Sequence, residues 1–99
     1  MRISPQEKKR ILLSLKAYAA DSQIYLHGSR IDDSKKGGDI DLFFVVKKSD
    51  FEKLKSQSYK LAAELSRNLN EQKVDLLILS LEDSSSNEFF LNSHKLRLD

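Results

Sequence analysis

Residues 39–46 read DIDLFFVV, a run whose two aspartates, Asp39 and Asp41, precede only apolar side chains rich in aromatic and β-branched types. The apolar part has the composition of a buried strand. An unpaired carboxylate in such surroundings is costly, and it neutralises or finds a cation. Alternation puts Asp39 and Asp41 on the same face of the strand. The acids then mark either a solvated strand start, capping a turn, or a place built to receive positive charge.

The flanking sequence bears on that choice. Upstream, QIYLH (23–27) is a short strand that stops at Gly28, and SRIDDSKKGG (29–38) is a polar loop with paired glycines and room for one helical turn after Ser29. Downstream, SDFEKLKSQSYKLAAELSRNLN (49–70) reads as one helix opened by a Ser49–Glu52 capping box, and KVDLLILS (73–80) as a third strand. A strand, a helix of about five turns and another strand form a parallel crossover, expected to be right-handed. The first two strands, joined only by a loop, are expected to be antiparallel neighbours. At the N-terminus SPQEKKRILLSLKAYAA (4–20) carries Ser4 as cap, Pro5 at the first helical position and Glu7 to complete the box. The C-terminal LEDSSSNEFFLNSHKLRLD (81–99) begins as a serine-rich capping loop and closes with a short helix over 88–92. The expected fold is α+β, a two-layer domain with a small mixed sheet and helices packed on it.

That topology brings carboxylates together. Asp75 lies near the start of the third strand as Asp39 and Asp41 lie near the start of the second. Parallel pairing puts those starts at one end of the sheet, and an antiparallel first strand brings Gly28 and Ser29 to the same end. Crowded carboxylates repel unless protonated or neutralised. Hard oxygen ligands select hard cations, and Mg²⁺ takes one or two carboxylates together with phosphate oxygens and water. Two such ions can clamp the attacking and leaving oxygens of a phosphoryl displacement. Gly28 leaves room for a phosphate, Ser29 offers a hydroxyl and an N–H, and a helix starting there adds a favourable dipole.

Composition narrows the remaining classes. The 99 residues fit a single domain over 1–99. Seventeen basic against 15 acidic residues is too even a balance for general nucleic-acid binding. The absence of cysteine excludes disulfides and thiolate metal sites. Neither a secretory leader nor a membrane-length apolar run is evident, so a cytoplasmic location is expected.

The segment GSRIDDSKKGGDIDL (28–42) resembles the signature of the DNA polymerase β-like nucleotidyltransferase superfamily: glycine-serine, a variable loop, then aspartate-hydrophobe-aspartate-hydrophobe. Gly28, Ser29, Asp39, Ile40, Asp41 and Leu42 match it, with nine residues between Ser29 and Asp39, and Asp75 takes the place of the third acid. The length is similar to that of the minimal nucleotidyltransferases, which lack an appended substrate-binding domain. The resemblance implies a polymerase β palm-like fold. It implies that Asp39 and Asp41 ligate two Mg²⁺ ions, and that Asp75 holds the catalytic ion and helps activate the attacking hydroxyl. Gly28, Ser29 and Arg30 would bind the nucleoside triphosphate. The reaction implied is transfer of AMP from ATP, with loss of pyrophosphate. It further implies a partner: minimal members act as antitoxins of HEPN-domain toxins in toxin–antitoxin modules, by binding the toxin in a hetero-oligomer or by adenylylating its tyrosine. Two positions depart from the pattern, His27 where a hydrophobe is usual and Gly38 where serine is common.

Other residues have plainer readings. Asp32 and Asp33 read as a solvated turn, Lys35 and Lys36 as ordinary loop lysines able to attract a triphosphate, and His27 as a packed edge histidine. His94 reads as a surface residue, and Tyr18, Tyr25 and Tyr59 as packing residues. Two rivals to catalysis stand: a binding-only antitoxin using Phe89, Phe90 and Leu91 as an apolar contact, and a nucleotide-binding regulatory domain that transfers nothing. The arginine–histidine pattern of HEPN ribonucleases is absent at His27 and His94, against a toxin identity for this chain.

Overall fold

The computed structural model describes residues 3–31 and 38–99, with Ser29 in its backbone alone. The readings of Asp32, Asp33, Lys35 and Lys36 lie outside the described residues. In chain order the elements are α1 (Pro5–Lys16), β1 (Gln23–His27), a 3-10 turn (Gly28–Ile31), β2 (Ile40–Val46), α2 (Lys48–Leu54), α3 (Ser58–Asn68), β3 (Val74–Ser80), α4 (Leu81–Ser84), α5 (Glu88–Asn92) and β4 (Lys95–Arg97). The sheet has the order β3-β2-β1-β4. β1 runs antiparallel to β2 and to β4, while β2 and β3 are parallel, with Asp41 opposite Asp75. The fold is α+β, with a small mixed sheet, as expected.

Alternation along the strands builds two unequal layers. Ile24 and Leu26 of β1, Ile40, Leu42, Phe44 and Val46 of β2, and Val74 and Ile78 of β3 face a single large core. That core is closed by Ile11 and Leu15 of α1, Leu54 of α2, and Leu61, Leu65 and Leu69 at and beside α3. The opposite face carries a smaller cluster, Phe43, Val45, Leu79 and Phe90, with Tyr25 against it. β2 is therefore buried on both sides except at Asp41, which is only partly covered. The five apolar residues from Leu42 to Val46, lacking polar alternation, are what a central strand covered on both faces requires.

The N-terminal helix starts as its sequence dictates. The Ser4 hydroxyl accepts from Glu7 N at 3.0 Å and Glu7 Oε1 accepts from Ser4 N at 2.8 Å, a complete capping box. Residues 49–70, read above as one helix, form two, and Lys47 rather than Ser49 is the N-cap of α2, with no side-chain cap bond. Lys55, Ser56, Gln57 and Ser58 are all polar, so no core contact holds the backbone helical between the buried Leu54 and Leu61. α4 and β4 were not expected. Ser80, the last residue of β3, caps α4, and Asn87, at the end of the serine-rich stretch, caps α5. Tyr59 is 91% exposed, against its reading as a packing residue, whereas Tyr18 and Tyr25 are partly buried as expected. Among the described residues, no helix is long and apolar enough to cross a membrane.

Candidate active site

Three strands present a row of polar side chains at one end of the smaller-core face. In register, His27 of β1 lies opposite Asp41 of β2, and Asp41 lies opposite Asp75 of β3. Asp39, one residue before β2, joins them: Asp39, Asp41 and Asp75 each offer an oxygen atom, and these atoms lie within 4.8 Å of one another. The expected trio is thus assembled at the amino ends of the two parallel strands. Asp75 is the most open of the three and Asp41 is the middle of the row.

The electrostatics follow from that crowding. Partial burial, the Asp75 and Asp39 carboxylates, and a hydrogen bond shared with Asp75 push the Asp41 carboxyl up to about 6, with Lys73 opposing. The exposed Lys73 ammonium lies 3.5 Å from Asp39 Oδ2. Burial pushes the His27 imidazole below its ordinary value, while Asp75 pulls it the other way. His27 is otherwise a packing residue, its ring stacked on Phe43 at 3.9 Å between centroids and 16° between planes. That stack accounts for an imidazole where a hydrophobe is usual: it serves as a flat surface for Phe43.

Gly28 is built into the same spot. It has φ +77°, and a Cβ placed on it would lie 2.5 Å from Asp41 Oδ2. The turn passes this close to the Asp41 carboxylate in a left-handed conformation that favours glycine. Ser29 follows in the 3-10 turn Gly28–Ile31. Arg30 lines neither cleft described below and is engaged within the chain, its Nη2 donating to Gln72 Oε1 at 2.9 Å and to the Gly38 carbonyl at 3.3 Å. Gln72 Nε2 donates in turn to Glu7 Oε2 at 2.6 Å, so the turn, the approach to β3 and the start of α1 are tied together.

Two clefts meet at Asp41. One, of about 460 Å³, runs over Asp75, Leu77, Ser58, Tyr59 and Ala62; the other, of about 560 Å³, runs over Gly28, Ile31, Ser93 and His94. His27 and Phe89 line both and so separate them. The polar row was legible from the sequence, but the lining from α3, α5 and residues 93–94 was not. Phe89 and Tyr59 carry no local signal other than being large and aromatic in helices short of core partners.

Three hard carboxylate ligands, one of them with its carboxyl pushed up to about 6 by partial burial and by its acidic neighbours, suit a divalent cation such as Mg²⁺, which would relieve the repulsion. A search of the curated proteins found no match. A solved structure described as "Crystal structure of putative nucleotidyltransferase" is similar with a TM-score of 0.59 at 20% identity, covering 92% of this chain and 96% of that one. The family profile described as Polymerase beta, Nucleotidyltransferase matches residues 9–96, a span that takes in the glycine turn, all three acids and the first three strands. With sequence profile, fold and carboxylate geometry in agreement over nearly its whole length, the chain belongs to the polymerase β nucleotidyltransferase family.

Proposed function

We propose that this chain transfers AMP from ATP to a tyrosine hydroxyl of a HEPN-domain toxin in the cytoplasm, as the antitoxin of that pair. The observation that carries the catalytic part is the carboxylate trio, with oxygen atoms within 4.8 Å of one another beside a glycine whose left-handed backbone runs against Asp41. Asp39 and Asp41 would hold two Mg²⁺ ions and Asp75 the catalytic one. When bound, the metal offsets charge on the triphosphate and on the attacking oxygen. The chain's own groups do the rest. Gly28 leaves the space beside Asp41 open for phosphate oxygens, and the Ser29 hydroxyl and backbone bind them. The Arg30–Gln72–Glu7 tie positions that turn. Asp75, the most open acid, takes the proton of the incoming hydroxyl. The hydroxyl oxygen bonds to the α-phosphorus, the bond from that phosphorus to the bridging oxygen breaks, and pyrophosphate departs.

The test is incubation of the chain with ATP labelled at the α-phosphate, Mg²⁺ and a candidate HEPN-domain toxin. Label on a toxin tyrosine, lost in Asp41→Asn and in Asp75→Asn, supports the reading; released pyrophosphate without labelled protein would point to another acceptor. Exposed Leu91, beside Phe89 on α5, favours a second reading in which binding alone neutralises the toxin. Under that reading the double variant Asp39→Ala, Asp41→Ala neutralises as well as the parent chain.

A further inference from the structure

The ridge between the two clefts has no part in the chemistry outlined above. Phe89 is 59% exposed, an unusual state for an aromatic side chain next to a packed cluster. Its ring is nonetheless positioned: it meets His27 edge-on at 5.8 Å and Phe43 at 5.5 Å. Phe43 is fully buried and itself stacked on His27, so the support beneath Phe89 is rigid. From below, the Ser93 hydroxyl donates to the Phe89 carbonyl at 2.6 Å, fixing the end of α5. An aromatic ring held by edge contacts and exposed toward a cleft can serve as a stacking platform.

Its location indicates what stacks on it. The cleft of about 560 Å³ joins Phe89 to Gly28 and Asp41 at one end and to Ser93 and His94 at the other. That volume suits a small ligand such as a nucleotide. The cleft on the Asp75 side is left for the acceptor, so the two reactants would reach Asp41 from the two clefts that the His27–Phe89 ridge divides. We propose that Phe89 is the nucleobase platform of this site: the triphosphate lies at Gly28, and the base stacks on the open face of Phe89 in the cleft shared with Ser93 and His94. The proposal rests on the nucleotidyltransferase reading above. Stacking uses the π-face that every base has, so the platform itself confers little choice among bases.

Calorimetry on the full chain with Mg²⁺ separates base from phosphate, using ATP, CTP and inorganic tripolyphosphate as probes. The expected result is that the parent chain binds ATP more tightly than tripolyphosphate. Phe89→Ala should weaken ATP roughly 5- to 150-fold, and CTP in the same range, while tripolyphosphate is unchanged. Phe89→Trp should retain ATP binding, and Phe89→Leu, apolar but without a ring, should lose it. The exposed position makes folding of all three variants expected, with circular dichroism as the check. If Phe89→Ala leaves ATP affinity unchanged, or weakens ATP and tripolyphosphate alike, the platform is overturned. A parent chain that binds tripolyphosphate but gains nothing from the nucleoside overturns it while leaving the phosphate site standing. A chain that binds neither probe brings down the nucleotidyltransferase reading and the platform together.

Discussion

Gly28 and Asp41 share a space that a single methyl group would fill. Left-handed backbone at φ +77° costs a non-glycine residue about 1–2 kcal/mol, and the Cβ would also meet Asp41 Oδ2 at 2.5 Å. Gly28→Ala is therefore expected to destabilise the chain by at least that backbone cost, lowering Tm by about 4–8 °C for each kcal/mol in a domain of this size. The two contributions can be separated. In an Asp41→Ala background the contact is gone and only the backbone cost is left, so Gly28→Ala should cost less there than in the parent chain. Equal losses in the two backgrounds, measured by urea unfolding, would show that the turn does not approach the carboxylate. The need for glycine at this position was legible as part of a motif, but its cause was not, because the close approach depends on the pairing of β1 with β2.

The elements differ in how far their own residues determine them. α1 has its capping box, β1 its Gly28 stop, and β2 and β3 their apolar runs, so each is decided within about ten residues. The break between α2 and α3 was hidden because Phe51, Leu54, Leu61 and Leu65 keep one helical period across it; what ends the helix is the absence of any core contact from 55 to 58. β4 was hidden for another reason: only three residues pair, and its place is decided by β1 and by Asp99. Asp99 Oδ1 accepts from Ile24 N at 3.0 Å and from Arg97 Nε at 3.1 Å, and Oδ2 accepts from Lys16 Nζ at 2.8 Å. Lys16 also donates to the Ser22 carbonyl, so one carboxylate joins the end of α1, the start of β1 and the tail of β4. Partial burial opposes its charge, but the bonds from Arg97, Lys16 and Ile24 prevail and hold the carboxyl well below the usual carboxylate range. A depressed carboxylate stabilises the fold above its unfolded value, near 4, and that stabilisation fades as the pH falls below it. Asp99→Ala should cost about 1–2 kcal/mol at pH 7, allowing for solvent at the site, and progressively less below pH 4. Urea midpoints of parent and variant at pH 7 and pH 3 check this: a gap that does not narrow in acid would mean that Asp99 acts through packing instead of charge.

At the scale of the whole molecule, the sheet separates stability from chemistry. One face carries the large core and the other a small aromatic cluster that stops short of Asp41 and Asp75. The convergence of the acids was legible because parallel strands align their starts whatever else the chain does. The clefts were not, since they depend on where α3 and α5 come to rest, which only tertiary packing decides. A trio that the exposed Lys73 offsets only in part is a cost to the fold, and its sign is opposite to that of Asp99. With the Asp41 carboxyl pushed up to about 6, the proton binds more tightly to the folded chain than to the unfolded one. Its contribution is then favourable in acid and is lost as the pH rises from about 4 through 6. Without divalent ions, Asp41→Asn should exceed the parent chain in stability at pH 8 by about 1–2 kcal/mol, after allowance for solvent screening, and match it near pH 4. Mg²⁺ replaces the proton with a cation, so it should raise the parent Tm at pH 8, by the equivalent of about 1.4 kcal/mol when present at ten times its Kd. The same ion should move Asp41→Asn little, and should move the parent chain less at pH 5, where the proton competes. Thermal unfolding across that grid of pH and Mg²⁺ decides the matter: a parent Tm indifferent to Mg²⁺ at pH 8 would mean that the three carboxylates repel one another without holding a metal, and the catalytic reading would lose its foundation.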